Sequence, residues 1–271
     1  SSLLGREPWL SPPRHGLGSP MSAHGGASAS PDHEIFFAML AQQAERFDEM
    51  AHHMLAAGSM KDELDDKEQT LLRVGFKQAL GSRRNAWRVV SQGEQDEKGK
   101  GNDELAVVAA KYRKKLEEEI KDMCKLILDL LVDHLIPNAA DPKTRVDYFK
   151  AVGDYNRYVA EISSDIELDR AKKEAKNAYE EGTEVAEREL EATSATRLGL
   201  ALNHAVFYQE IEKNTTKAVS IARKAFEDAV REVDNLGEEG AKEASLIMQL
   251  LRDNLTLWTS DGVVQRFRLH D

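Results

Sequence analysis

SLIMQLLRDNLTLWTSD, Ser245 to Asp261, is the stretch whose reading decides the fold. At 100° per residue Leu246, Leu250, Asn254 and Leu257 fall along one edge of a helix, with Ile247, Leu251 and Trp258 beside them and Met248 and Leu255 beyond. Gln249, Arg252, Asp253 and Thr256 share the remaining arc. An ordinary surface helix buries a stripe a little over about 100° wide, and this apolar arc approaches twice that, so the helix has two apolar faces to cover. In one reading, one flank packs on a neighbouring helix while the other, with Asn254 among leucines, lines a groove for an extended ligand. The alternative is a fully buried core helix, and periodicity alone does not separate the two.

The rest of the chain fits an all-α protein. Of 271 residues 41% are hydrophobic, 31% charged and only 6% aromatic, and Ala, Leu, Glu and Lys dominate from Asp32 onward, the composition of long packed helices. A net charge of -11 repels nucleic acid and anionic membrane, so an anionic ligand must be met by a local basic patch. The single cysteine, Cys124 in MCKLILDLL, excludes an intrachain disulfide and reads as a core residue in a reduced, cytoplasmic setting. No apolar run reaches the roughly 18 residues of a membrane span, so membrane insertion is not expected. Nor does Arg6 or Arg14 precede a secretory-type apolar segment.

Five of the seven prolines lie before Asp32, among Gly and Ser, and residues 1–31 read as a disordered extension, with Met21 a candidate original start after leader residues. Ser11 and Ser19, each before a proline, are weak candidates for phosphorylation and groove occupancy. The helical domain then runs from 32 to 261. Asp32 is a candidate N-cap for a first helix through Ile35, Phe36, Met39 and Leu40, and a break near Asp48 starts a short second one. After a turn over Gly58 to Asp65, Leu71, Leu72, Phe76, Leu80, Trp87 and Val90 mark a helix expected to end in the loop QGEQDEKGKGND. The longest helix is expected from Leu105 to Leu131, stopped by IPNAADP. Residues 143–163 and Ile166 to Leu190 form two more, Thr193 or Ser194 and Thr215 open the next pair, and Gly237 turns into the final helix. The sum is about nine antiparallel helices with no strict repeat, followed by a flexible tail at 262–271.

Three helices each place two polar groups seven residues apart, hence on one face: Lys77 with Arg84, Lys150 with Arg157, and Asn203 with Glu210. Two basic helices facing a common cleft suit a phosphate dianion, because the guanidinium fork takes two oxygens and lysine adds charge. Tyr158 can add a hydrogen bond. Taken singly, each pair also reads as ordinary solvated side chains. Glu49, His52 and His53 form the only Glu-x-x-His spacing; di-metal helical bundles need a second copy, so no metal or other cofactor is expected. A purely structural helical scaffold explains long helices but not the embedded basic pairs.

FKQALGSRRNAWRVV (Phe76 to Val90), GDYNRYVAE (Gly153 to Glu161), RLGLALNHAVFYQEI (Arg197 to Ile211) and the opening stretch closely resemble the signature segments of 14-3-3 proteins, in order, from about His33 to Asp261. The resemblance implies a non-catalytic, cup-shaped dimer of nine-helix subunits, homodimeric or paired with another isoform. Each half would bind phosphoserine or phosphothreonine peptides of client proteins in an amphipathic groove. It makes Lys77, Arg84, Arg157 and Tyr158 the phosphate pocket, with Lys150 on the same wall and Glu210 close by. Asn203 and Asn254 would bond the peptide backbone. Leu202, Val206, Ile247, Leu250 and Leu257 would form the apolar wall, and Trp258 would hydrogen-bond the ligand. For the dimer it sets Leu40 and Ala44 against Tyr112 of the other subunit, Arg46 against Glu119, and Glu49 against Lys115. Departures include Asn85 and Ala86 in place of a serine pair, Asn156 and Gln209 in place of aromatics next to the pocket, and an unusual His204. The tail carries Arg266 and Arg268 instead of an acidic run.

Overall fold

A computed structural model describes the backbone of residues 30–232 and 238–268, and the side chains of these outside 238–241 and 260–268. The described residues contain nine helices and no strand. Helix α1 spans Pro31–Gln43. Its N-cap is Ser30, whose hydroxyl accepts from the His33 amide at 3.3 Å, so the expected cap Asp32 instead lies in the first turn, after Pro31. Glu45, at φ 55°, turns the chain into α2, Phe47–Met60. Asp65 and Glu68 form a capping box at the start of α3, Asp66–Gly99.

The expected loop QGEQDEKGKGND is helical as far as Gly99, because α3 is held to the next helix there. Glu94 is 5% exposed and accepts from Arg113 and from Lys98, both at 2.6 Å. A charged run with Gly93 and Gly99 looks like loop from composition, yet cross-helix ion pairs keep it wound. Only Lys100 to Asn102 remain as a turn, with Gly101 at φ 77°. Helix α4, Asp103–Leu130, continues through a π turn, Leu131–Leu135, and a last short turn, Ile136–Asn138. Then follow α5, Pro142–Ile162, α6, Asp165–Glu189, α7, Ala195–Glu210, α8, Thr215–Glu232, and α9, Glu238–Arg268. Asp141 caps α5 through the Thr144 amide at 2.8 Å, and Asn214, not Thr215, caps α8 through the Lys217 amide at 3.0 Å. The last helix continues past Asp261, where the tail was expected to begin. Gly237, residues 1–29, Ser11, Ser19, and the side chains of Arg266 and Arg268 lie outside what is described.

Successive helices pack on one another, as short connections between helices require. One core, with Met50, Met54, Phe76, Leu80, Ile120, Ile127 and Leu131, joins the N-terminal helices to α5. A second, with Tyr179, Leu198, Phe207, Met248, Leu251 and Trp258, joins α5 and α6 to α9. Helix α9 thus buries Met248, Leu251 and Trp258 while leaving Leu246, Leu250 and Leu257 exposed at 67%, 46% and 56%. This excludes the fully buried reading of the opening stretch. Helices α5 and α6 approach closely at Gly153, where an added Cβ would lie 2.5 Å from the Tyr179 ring.

Candidate functional site

The basic residues of α3 and α5 converge. Arg84 and Arg157 both sit against the Tyr158 ring, their guanidinium carbons 3.7 Å and 4.9 Å from its centroid. Behind Arg84 stands Glu161. The guanidinium donates to it through Nε at 3.1 Å and through Nη2 at 2.7 Å, a fork that fixes its plane. Arg157 reaches the same carboxylate at 3.5 Å. Lys77, on the same face of α3, is exposed and forms no ion pair among the described residues.

A second carboxylate, Asp154, organises the other side. It is 8% exposed and accepts from Lys150 at 3.0 Å, Arg157 at 3.3 Å, the Tyr179 hydroxyl at 2.6 Å and the Asn203 amide at 2.8 Å. Tyr179 also accepts from Arg157 Nε at 3.4 Å. Burial alone would raise the Asp154 pKa, but the cations of Lys150 and Arg157 and the Tyr179 hydroxyl outweigh it and hold the carboxyl below its usual range. In return Asp154 pushes the Lys150 ammonium up. Asp154 and Lys150 are therefore both charged at neutral pH, while burial keeps the Tyr179 hydroxyl protonated. With Arg88, 3.8 Å from Glu161, four cations (Arg84, Arg88, Lys150, Arg157) pair with two carboxylates (Asp154, Glu161) on a chain whose net charge is -11. This is the local basic patch that an anionic ligand requires.

Sequence reasoning named Lys77, Arg84, Lys150 and Arg157 but missed Asp154, Glu161, Tyr179 and Arg88. Three of these had a legible signal, since Asp154 is four residues after Lys150, Glu161 four after Arg157, and Arg88 four after Arg84. Tyr179 comes from another helix and had none. Asn203 is placed beside the pocket by Asp154. Leu202, Val206, Ile247 and Asn254 are partly buried, Glu210 is exposed, and Leu250 and Leu257 complete an exposed apolar edge on α9. Trp258, 6% exposed, is packed into the second core. Among the departures, Asn156 turns its amide back to the Val152 carbonyl at 3.0 Å, and Gln209 Oε1 is buried without a partner.

Leu40 and Tyr112 are 44% and 51% exposed, as are the apolar side chains of Phe36 and Phe37 on α1, Val89 on α3, and Leu105 and Val108 on α4; Ala44 is exposed as well. Within the chain Arg46 pairs with Glu49 at 2.7 Å, and Glu119 meets Arg83 at 3.3 Å and Lys115 at 3.7 Å. The charges expected to cross to a partner thus have neighbours one turn away or on the adjacent helix. His53 Nδ1 meets Glu34 at 2.6 Å and its ring stacks on Phe37, while Glu49 is committed to Arg46. Among the described residues no three His, Cys, Asp or Glu side chains group to hold a metal. Cys124 is fully buried, and burial pushes its thiol up to about 12.

The family model described as 14-3-3 protein matches residues 37–259. The chain is 49% identical over 231 residues to 14-3-3 protein I of Plasmodium falciparum, covering 82% of this chain and 87% of that one. It is 47% identical over 225 residues to 14-3-3 protein beta/alpha-A of Xenopus laevis, covering 83% and 91%. Against the 14-3-3-like protein GF14 chi of Arabidopsis thaliana it is 46% identical over 238 residues, covering 87% and 89%. A nine-helix fold and identity at this level over nearly the whole described chain place it in the 14-3-3 family, whose members are adaptor proteins and not enzymes.

Proposed function

We propose that this chain is a dimeric adaptor that binds phosphoserine or phosphothreonine peptides of client proteins. The observation that carries the reading is the convergence of Arg84 and Arg157 on Tyr158, each guanidinium braced from behind by a carboxylate. Braced forks present their remaining donors without losing rotamer freedom on binding, and an exposed Lys77 adds charge. Lys77, Arg84, Arg157 and Tyr158 form the phosphate pocket, with Lys150 supporting it through Asp154. Asn203 and Asn254 bond the peptide backbone. The peptide's apolar side chains lie on Leu202, Val206, Ile247, Leu250 and Leu257, near Glu210, with Trp258 anchoring α9 and offering its indole N–H.

Two such subunits join through the surface that carries Leu40, Ala44 and Tyr112, with Arg46, Glu49, Lys115 and Glu119 at its rim. The partner is a second copy or another isoform. Exposed pairs contribute only about 0–1 kcal/mol each, so apolar burial drives association and charge sets register. Residues 32–261 are the binding domain. The acidic surface disfavours nucleic acid, and no described helix is long and apolar enough to cross a membrane, which suits work in the cytoplasm.

Fluorescence anisotropy with a phosphoserine peptide and its unphosphorylated twin tests the reading. Saturable binding of the phosphopeptide alone is expected; equal affinities for the twins overturn it.

A further inference from the structure

Helix α1 turns its small residues inward and its large ones outward. It buries Ala38 and Ala41, whereas Phe36, Phe37 and Leu40 stand out from the subunit. At 100° per residue Phe36, Phe37, Leu40 and Ala44 fall within an arc of about 100°, a single stripe along the helix. Helix α4 carries a second stripe. Leu105, Val108 and Tyr112 recur at three and four residues, and Lys115 and Glu119 continue the same face. Phe36, Phe37, Leu40, Leu105, Val108 and Tyr112 are each between 44% and 63% exposed. Within the chain α1 packs mainly on α2, and α4 on α3, so each stripe is left for another surface.

The dimer proposed above sets Leu40 against Tyr112 and Arg46 against Glu119, so α1 and the second subunit's α4 run in the same direction. Phe36 precedes Leu40 by four residues and Val108 precedes Tyr112 by four, which is about one turn, or about 6 Å, in each helix. That register carries Phe36 and Phe37 onto Val108, with Leu105 one turn further along. A two-fold axis repeats the contact, so each chain gives its α1 stripe to one half of the interface and its α4 stripe to the other. A chain with both stripes is complementary to itself. A partner with charge in either stripe sets that charge, desolvated and unpaired, against apolar side chains.

We propose that the two stripes make a second copy of this chain its preferred partner, through Phe36 and Phe37 of one subunit packed on Leu105 and Val108 of the other. The inference rests on the dimer reading and adds to it a contact and a choice of partner. Apolar burial supplies the affinity, and the need to match both stripes supplies the selection.

Phe36→Lys and Val108→Glu each place a charge in one stripe, at exposed positions. Sedimentation equilibrium measures the dimer Kd of the native full chain, of each variant and of their equimolar mixture. Each variant alone should dimerise at least about tenfold more weakly than the native chain, because both halves of its dimer hold an unpaired charge. In the mixture one half of a mixed dimer pairs the new lysine with the new glutamate and the other half is native, so association should recover; recovery also shows that both variants fold. A chain carrying both substitutions matches itself but clashes twice with the native chain. Fluorescently labelled native chain should therefore exchange with unlabelled native chain and at least about tenfold less with the double variant. Unchanged Kd of the single variants, no recovery in the mixture, or random exchange with the double variant each overturns the proposal and leaves the dimer standing. A native chain that sediments as a monomer overturns both.

Discussion

The Tyr179 hydroxyl of α6 donates to Asp154 Oδ1 of α5 at 2.6 Å, inside the protein, and the same carboxylate holds Lys150, Arg157 and Asn203. One buried anion thus sets the position of the Arg157 guanidinium, the Lys150 ammonium and the Asn203 amide, three groups of the proposed binding site. The contact depends on the missing side chain of Gly153, which lets the Tyr179 ring lie against α5.

Asp154→Asn keeps the shape and removes the charge. Leaving Lys150 and Arg157 partly unpaired in the interior should cost about 3 kcal/mol of stability, measured by urea denaturation, and weaken phosphopeptide binding. The folded pKa of Asp154 is depressed, so its stabilisation is present above the unfolded value of about 3.9 and is lost as pH falls through the lower folded value. The gap between the native chain and the variant should be full at pH 7 and close in stronger acid. A gap that stays constant into that range would show the charge to be unimportant.

Gly153→Ala places a methyl 2.5 Å from the Tyr179 ring. Overpacking of this kind costs about 1–3 kcal/mol, and displacing Tyr179 should reduce phosphopeptide affinity as well as the melting temperature. An unchanged melt would contradict the close approach of α5 and α6.

Arg84→Lys keeps one positive charge but cannot make the two-pronged contact with Glu161 or cover the Tyr158 ring. Phosphopeptide affinity should fall by about tenfold or more, as expected for losing a charge-assisted hydrogen bond of about 1.5–3 kcal/mol. Anisotropy titration measures it, and the unphosphorylated peptide should bind no better.

Leu40→Asp puts a carboxylate beside the exposed Phe36 and Phe37 of α1. If that surface joins two subunits, light scattering at micromolar concentration should drop from a dimer's mass to the 30.3 kDa of one chain. A native protein that already scatters as a monomer would reject the dimer.

Burial, with repulsion from Lys217 and Lys176, makes His204 bind its proton more weakly folded than unfolded, with a pKa of about 4 against the ordinary 6.5. Between these values the unfolded chain holds the extra proton, so stability is full above the unfolded pKa, declines as pH falls through the interval and levels off below about 4. Up to about 3 kcal/mol is at stake, at 1.36 kcal/mol per pKa unit. Urea denaturation at pH 7.5 and pH 4.5 should show this loss in the native chain and a smaller one in His204→Phe.

The helical register, the basic pairs and the split character of α9 were legible because each is periodic within a single helix. Leu246, Leu250 and Leu257 share an edge whatever surrounds them, and Arg84 follows Lys77 by two turns whatever faces it. The end of α3 was not legible, since Glu94 and Arg113 meet across two helices and local composition there argues for loop. Nor were the N-caps Ser30 and Asn214, each one or two residues before the expected position, as is usual where several small polar residues compete.

By itself the sequence determined an all-α chain and its family, and it paired Lys77 with Arg84 and Lys150 with Arg157, since local periodicity and ordered motifs are properties of the chain alone. Only the tertiary structure decided that Asp154 and Glu161 brace the arginines and that Tyr179 reaches Asp154. Those contacts join residues from different helices, whose meeting depends on how the helices pack and not on any spacing within one of them.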